Sequence, residues 1–248
     1  MKRLTMAAAV AFGVVGAAVP AHAVLQISGT VGGIAVQCAD QNFSCDTNPL
    51  LGQLSVGDST LNGVQFIGSS QTQTVGPPTN RLDSSSFQII NNSGSTQNIQ
   101  LAVSGTGFAA PTTLFSASGG GTFETAAGSL VNLAFYADAA NQQGADSPTD
   151  APGTQVFAGS HVAVGLTDTF ALNSGVLPLA ETGPFSMTLL ASGTLVNGGS
   201  LVGRTQAAVT DVTSTPVSEP GSLALLGGSL AAFGLWRSRR RPTEGDIA

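Results

Sequence analysis

The residue most able to do acid–base chemistry in the central part of the chain is His161, the one histidine between residues 24 and 213. A Ser-His-acid triad needs the imidazole within hydrogen-bond reach of a nucleophile. The chain has many serines but no Gly-x-Ser-x-Gly turn leading from a strand into a helix. We therefore expect His161 to be an ordinary residue at the start of a strand and the protein not to be an enzyme. Hydrolysis by His161 remains the least favoured alternative.

Acidic side chains could hold a metal or form a glycosidase pair. Asp138, Asp146 and Asp150 fall in one region together with Asn141. Hard cations take such oxygen ligands, yet no EF-hand or nonapeptide pattern is present. These aspartates are weak calcium candidates, and a solvated loop is the favoured interpretation. Nothing in their spacing, or in that of Glu181, selects the two carboxylates of a glycosidase. We expect no cofactor.

Aromatic side chains, which stack on sugar rings, are scarce. They form 6 % of the chain, Tyr136 is the only tyrosine, and the single tryptophan, Trp236, lies near the C-terminus. An aromatic sugar-binding platform is therefore disfavoured, although not excluded.

The two cysteines, Cys38 and Cys45, are eight residues apart inclusively, in CADQNFSC. An even number of cysteines in an exported chain favours a disulfide. Closing so small a loop is worth about 2–3 kcal/mol in the chain-entropy model. Two free thiols are the alternative, and a metal site is the weakest one because no histidine or further cysteine lies nearby.

The charge of the chain limits its partners. Charged residues make up 9 % of the sequence. Between residues 24 and 213, eleven acidic residues against two basic ones give a net charge of −9. Nucleic acid is excluded as a partner because its affinity comes from Lys and Arg neutralising phosphates. An acidic surface also keeps a domain soluble.

The N-terminal segment is typical of a secretory signal peptide, residues 1–23. Lys2 and Arg3 are followed by an apolar run over residues 6–19, and Ala21 and Ala23 form an A-x-A cleavage site. Signal peptidase should therefore release a mature chain that begins at Val24. A retained anchor helix is the less favoured interpretation.

The C-terminal segment predicts a short membrane helix at about residues 222–236. Its uncharged core, residues 223–236, would span about 21 Å as a helix, short of the ~30 Å hydrocarbon core. A basic cluster follows and should stop transfer with the C-terminus inside. Its members are Arg237, Arg239, Arg240 and Arg241. A helix buried in a soluble core is disfavoured because the run has no polar face.

A short motif, Ser218-Glu219-Pro220, precedes this apolar segment. The order of motif, apolar helix and arginine cluster resembles the PEP-CTERM sorting signal of Gram-negative bacteria, with Ser218 in place of the first proline. Val217 and the stretch 221–227 also fit that pattern. The resemblance covers about a tenth of the chain. It implies recognition of Glu219 and Pro220 by an exosortase-like membrane enzyme, and release to the outer surface or the exopolysaccharide matrix.

The body of the chain, residues 24–213, reads as one all-β domain. Apolar residues alternate with polar ones in segments such as 86–89, 99–103, 131–135 and 185–189. Clusters of Gly, Asn, Ser and Pro bound these segments. We predict an antiparallel β-sandwich, jelly-roll or Ig-like, with a β-solenoid disfavoured for lack of a repeat period.

Two local predictions accompany this fold. The segments 87–91 and 97–104 should form a hairpin, because a polar, Gly-containing turn joins them. Residues 141–153 should form a polar loop. Residues 214–248 contain the linker and the sorting tail.

These features favour an exported structural protein of the cell surface or exopolysaccharide matrix, with a transient precursor anchored in the inner membrane. The alternative is a surface module that binds a polysaccharide or calcium. The expected partners are signal peptidase, an exosortase-like enzyme and an exopolysaccharide.

Overall fold

A computed structural model describes residues 24–84, 87–203 and 206–211. These residues form sixteen β-strands and no helix. The strands are β1 (Leu25–Val31), β2 (Ile34–Ala39), β3 (Gln53–Val56), β4 (Ser59–Leu61), β5 (Val64–Ile67), β6 (Ser69–Thr74), β7 (Thr79–Ser84), β8 (Phe87–Asn91), β9 (Gln97–Phe108), β10 (Leu114–Glu124), β11 (Leu130–Asp138), β12 (Thr154–Val162), β13 (Thr167–Pro178), β14 (Phe185–Leu195), β15 (Ser200–Gly203) and β16 (Gln206–Asp211).

The strands form two antiparallel sheets. The six-stranded sheet has the order β12-β11-β14-β9-β1-β2. In the ten-stranded sheet, nine strands follow one another in the order β3-β6-β7-β16-β10-β15-β8-β5-β4. The tenth strand, β13, is hydrogen-bonded to β10 as an additional neighbour. The prediction of an all-β antiparallel sandwich is therefore confirmed.

The core lies between the two sheets. Alternate residues of β11 and β14, such as Leu133, Phe135 and Leu189, are buried as their period of two predicts. Phe135 meets Phe115 of the opposite sheet edge to face, with ring centroids 6.4 Å apart. Burying one such side chain is worth about 1.5–3 kcal/mol, so the apolar alternation accounts for the association of the sheets.

The predicted hairpin of β8 and β9 is wrong. β8 pairs with β5 and β15 of one sheet, whereas β9 pairs with β1 and β14 of the other. The Asn91 side chain helps to hold this crossing, because its Nδ2 donates to the carbonyl oxygens of Ser95 and Leu195, each at 2.8 Å. The polar turn therefore connects a strand of one sheet to a strand of the other, and does not join two paired strands of the same sheet.

The predicted disulfide Cys38–Cys45 is confirmed, with the two Cα atoms 5.7 Å apart. The bond closes residues 38–45, and we call the segment that continues from it to Ser55 the disulfide loop. Asp46, which is 3 % exposed, fixes this loop because its carboxylate accepts hydrogen bonds from the amides of Gln41, Asn48 and Ser55. A disulfide of this kind is typical of an extracellular or periplasmic environment.

Within residues 24–84, 87–203 and 206–211, no helix is long and apolar enough to cross a bilayer. The predicted signal peptide with Ala21 and Ala23, the Ser218-Glu219-Pro220 motif and the arginine cluster lie outside these residues.

Candidate functional site

His161 is the next-to-last residue of β12 and does not lie at the start of a strand as predicted. It is located where β12 of one sheet approaches β13 of the other. Its ring stacks on Phe170 and Phe123, with centroid distances of 5.2 and 6.3 Å. Its Nε2 lies 3.2 Å from Oδ2 of Asp168. Among the described residues, the imidazole thus contacts two phenyl rings and one carboxylate, and no hydroxyl is hydrogen-bonded to it.

The weak calcium candidates do not converge on one point. Asp138 accepts the amides of Ala140 and Gln142, and Asp150 accepts the amide of Asp146. Asp146 itself accepts the side-chain amide of Gln26. Each carboxylate thus holds local structure, and no group of three or more potential metal ligands occurs in the part of the chain described.

The predicted loop at 141–153 is a loop, largely exposed or half-buried, and its middle packs on the sheet. The Gly144 amide donates to Oγ of Ser104 at 3.0 Å, and Ala145 is fully buried. The Gln26 side chain donates to the Ala145 carbonyl at 2.9 Å. The loop therefore covers one end of the outer face of the six-stranded sheet and leaves the rest of that face open.

A line of polar side chains crosses the open part of this face. The register aligns one residue from each of five adjacent strands, so the line runs across the strands. Five strands spaced by ~4.8 Å give it a length of about 19 Å. We call this set the polar row: Thr30, Gln100, Ser192, Asn132 and Ser160.

The polar row has free hydrogen-bonding capacity. Gln100 and Ser160 are exposed, and the other three side chains are half-buried. None of the five side chains is hydrogen-bonded to another described residue. Side-chain amides and hydroxyls offer both donors and acceptors, so the row can bind a ligand that presents both.

An apolar strip adjoins the polar row. The strip lies one side-chain position away from the row on the same face, that is, two residues away along each strand. It consists of Leu190, Ala134 and Ala158, which are paired neighbours on three adjacent strands. They lie between the polar row and the packed loop. The face therefore offers apolar contact beside hydrogen-bonding groups.

At the end formed by Thr30 and Gln100, the polar row opens into a cavity of about 220 Å³ beside the β1–β2 turn. Its lining combines turn glycines with amide and hydroxyl side chains, namely Thr30, Gly32, Gly33, Gln97, Asn98 and Gln100. The polar row thus continues into a concave, uncharged end.

Charge is nearly absent from the open part of the outer face of the six-stranded sheet, beyond the loop that carries Asp146 and Asp150. The one ionisable carboxyl on its strands is that of Asp138, at the end of β11. Burial, together with Asp138, raises the pKa of the nearby Glu181. A cationic ligand would bind near these two carboxylates, whereas the polar row is suited to a neutral ligand.

Sequence patterns could not reveal this site. Alternation correctly assigned Asn132 and Gln100 to outward-facing positions, but their alignment depends on pairing between strands far apart in sequence. The sequence is rich in Ser, Thr, Asn and Gln, and this composition indicates strands with many hydrogen-bonding side chains.

No family model and no curated protein sequence matches the chain. Several solved structures, including the three below, are similar at a low level. TmCBM61 in complex with beta-1,4-galactotriose is 11 % identical over 66 % of this chain and 91 % of its own, with a TM-score of 0.26. The C-terminal CBM6 of LamC from Zobellia galactanivorans is 11 % identical over 64 % of this chain and 99 % of its own, with a TM-score of 0.24.

The infectious bursal disease virus Gt strain structure is 14 % identical over 78 % of this chain and 56 % of its own, with a TM-score of 0.32. Scores of this size do not establish a shared fold. The function proposed below therefore rests on this chain's own geometry.

Proposed function

We propose that this protein is an exported component of the cell surface or exopolysaccharide matrix that binds a neutral polysaccharide without cleaving it. The observation that carries the proposal is the polar row, a line of five unpaired amide and hydroxyl side chains on an almost uncharged sheet face.

The chemistry of the face matches the chemistry of a sugar chain. Sugar hydroxyls both donate and accept, as do the side chains of Gln100, Asn132 and Ser192. Sugar C–H groups can pack on the apolar strip of Leu190, Ala134 and Ala158, which removes apolar surface from water. An extended row suits several successive sugar units better than one small molecule.

The route to the surface is proposed from the two ends of the sequence. Signal peptidase would cleave after Ala23, and an exosortase-like enzyme would recognise Glu219 and Pro220. The disulfide supports this proposal because it favours an oxidising compartment.

Affinity electrophoresis tests the binding proposal. The full chain is run through native gels that contain dextran, a neutral galactan or the acidic polymer alginate. We expect retardation by a neutral polymer and not by alginate. The triple variant Gln100→Ala, Asn132→Ala, Ser192→Ala should lose about tenfold or more in affinity, since each hydrogen bond is worth ~0.5–1.5 kcal/mol.

A matched triple variant on the ten-stranded sheet is the control: Thr60→Ala, Gln65→Ala and Gln88→Ala. It removes the same kinds of side chain and should leave retardation unchanged. Equal loss in both variants, or retardation by alginate alone, would contradict the proposed site. Release of reducing ends from the bound polymer would contradict the non-enzymatic role.

A further inference from the structure

β12 is an edge strand of unusual composition. It pairs on one side only, with β11, and its nine residues contain no proline, lysine, arginine or carboxylate. Such an edge presents unpaired amides and carbonyls to any other strand. One register shift occurs near its start, opposite Phe135 and Tyr136, and the segment from Phe157 to Val162 is regular.

Other edges in the described part of the chain are shorter or protected. β3 and β4 have four and three residues, and the Thr47 amide and Asp46 cover β3. β2 has six residues and ends at the disulfide loop. β13 carries Asp168 and ends in Pro178. Natural proteins protect edges in these ways to prevent pairing.

Apolar side chains are exposed at the C-terminal end of β12. Val162 is 52 %, Val164 86 % and Leu166 74 % exposed. We call these three residues the aliphatic knob. Exposed aliphatic side chains that follow one another this closely mark an interaction surface more often than isolated ones do.

A groove of about 420 Å³ lies at the opposite, N-terminal end of β12. Its lining includes the aliphatic side chains of Val156, Leu177 and Leu179. Gln155 and the carboxylate of Glu181 also line it, so the groove is only partly apolar. The groove and the aliphatic knob are therefore separated by the length of the strand.

We propose that two copies of this chain pair through β12, antiparallel, about a two-fold axis at the central residue Ala158. This symmetry places the aliphatic knob of each copy beside the groove of the other, so the same surface serves both partners. β12 contributes no carboxylate, lysine or arginine side chain, so pairing two copies through it does not set like charges of the strands against each other in a domain with a net charge of −9. The pairing joins two six-stranded sheets into one of twelve strands.

Cysteine cross-linking in intact cells tests the pairing. The full chain with Ala158→Cys is exported and oxidised with copper phenanthroline, then run on a non-reducing gel. We expect a band of twice the monomer mass, because the two introduced cysteines face each other at the axis. Ala171→Cys, an exposed alanine on β13, is the matched control and should remain monomeric.

A second substitution distinguishes cross-linking within a specific dimer from cross-linking by random collision of monomers. Val164→Asp introduced beside Ala158→Cys should reduce the cross-linked fraction at least tenfold, whereas Val176→Asp, a 69 % exposed valine on β13, should not. Sedimentation of the purified full chain in detergent should show a dimer that Val164→Asp dissociates. A monomer in sedimentation, or equal cross-linking through residues 158 and 171, overturns the proposal.

Discussion

At the residue scale, Asp211 shows how a single carboxylate ties down the end of the last described strand. Its oxygens accept the amides of Thr113 and Leu114 and the hydroxyl of Thr113, at 2.7–2.8 Å. Burial tends to raise the pKa of Asp211, but these hydrogen bonds outweigh it and lower the pKa. A lowered pKa means that the charged form stabilises the fold.

Asp211→Asn should therefore destabilise the protein at pH 7. The stabilisation is present above the unfolded pKa of ~3.9 and is lost as the pH falls through the lower folded pKa. The difference in Tm between wild type and variant should accordingly shrink toward pH 3. Thermal melts at pH 7 and pH 3 measure it, and an equal difference at both values would contradict the assignment.

Gly29 is a second position where one residue determines packing. A Cβ there would collide with the Leu101 side chain and lie 2.7 Å from the Gln100 carbonyl oxygen. Because that oxygen belongs to the adjacent strand, it cannot yield easily. Gly29→Ala should cost about 1–3 kcal/mol in urea unfolding. Gly57→Ala, whose Cβ would meet nothing within 4 Å, is the matched control and should cost far less.

At the element scale, the disulfide loop is held twice, by the Cys38–Cys45 bond and by the three amides on Asp46. Replacing both cysteines by serine should cost about 2–3 kcal/mol through the entropy of the unfolded chain. Chemical denaturation of the double variant measures this cost. A loss near zero would mean that the hydrogen bonds to Asp46 hold the loop alone.

The elements also show which features a single sequence predicts. The strands around Ile89, Val131 and Met187 were predictable because the period of two reports a buried face directly. The partner of a strand was not predictable in the same way. The turn after Asn91 looks like a hairpin turn in sequence. Its hydrogen bonds to the distant residues Leu195 and Asn197, which accompany the passage of β9 into the other sheet, leave no local pattern.

The candidate site lies beyond local patterns for a related reason. Gln100 and Asn132 are recognisable as outward-facing residues. Their alignment with Thr30 requires four pairings whose partners are 28 to 92 residues apart. The composition of the sequence indicates amide and hydroxyl side chains, but their alignment in one row follows only from the sheet topology.

At the scale of the whole molecule, the proposed export route predicts a defined mature chain. Intact mass of surface and medium fractions should show a species that begins at Val24 and ends between Ser218 and Pro220. It should also weigh two hydrogens less than the reduced chain because of the disulfide. A membrane-bound species that retains residues 241–248 would instead show that the tail is a plain anchor.

The two ends of the described chain lie at one end of the sandwich. The Val24 amide donates to Oγ1 of Thr106, and Asp211 accepts the amide of Thr113. Along β9 the polar row, at Gln100, lies six residues before Thr106, about 20 Å away. A molecule held from residue 211 and pulled by a polymer on the row is thus under tension along its strands. Because β16 and the polar row lie in different sheets, this tension loads the packed core between the sheets in shear. Many core contacts must then yield at once, so the fold should resist mechanical force well.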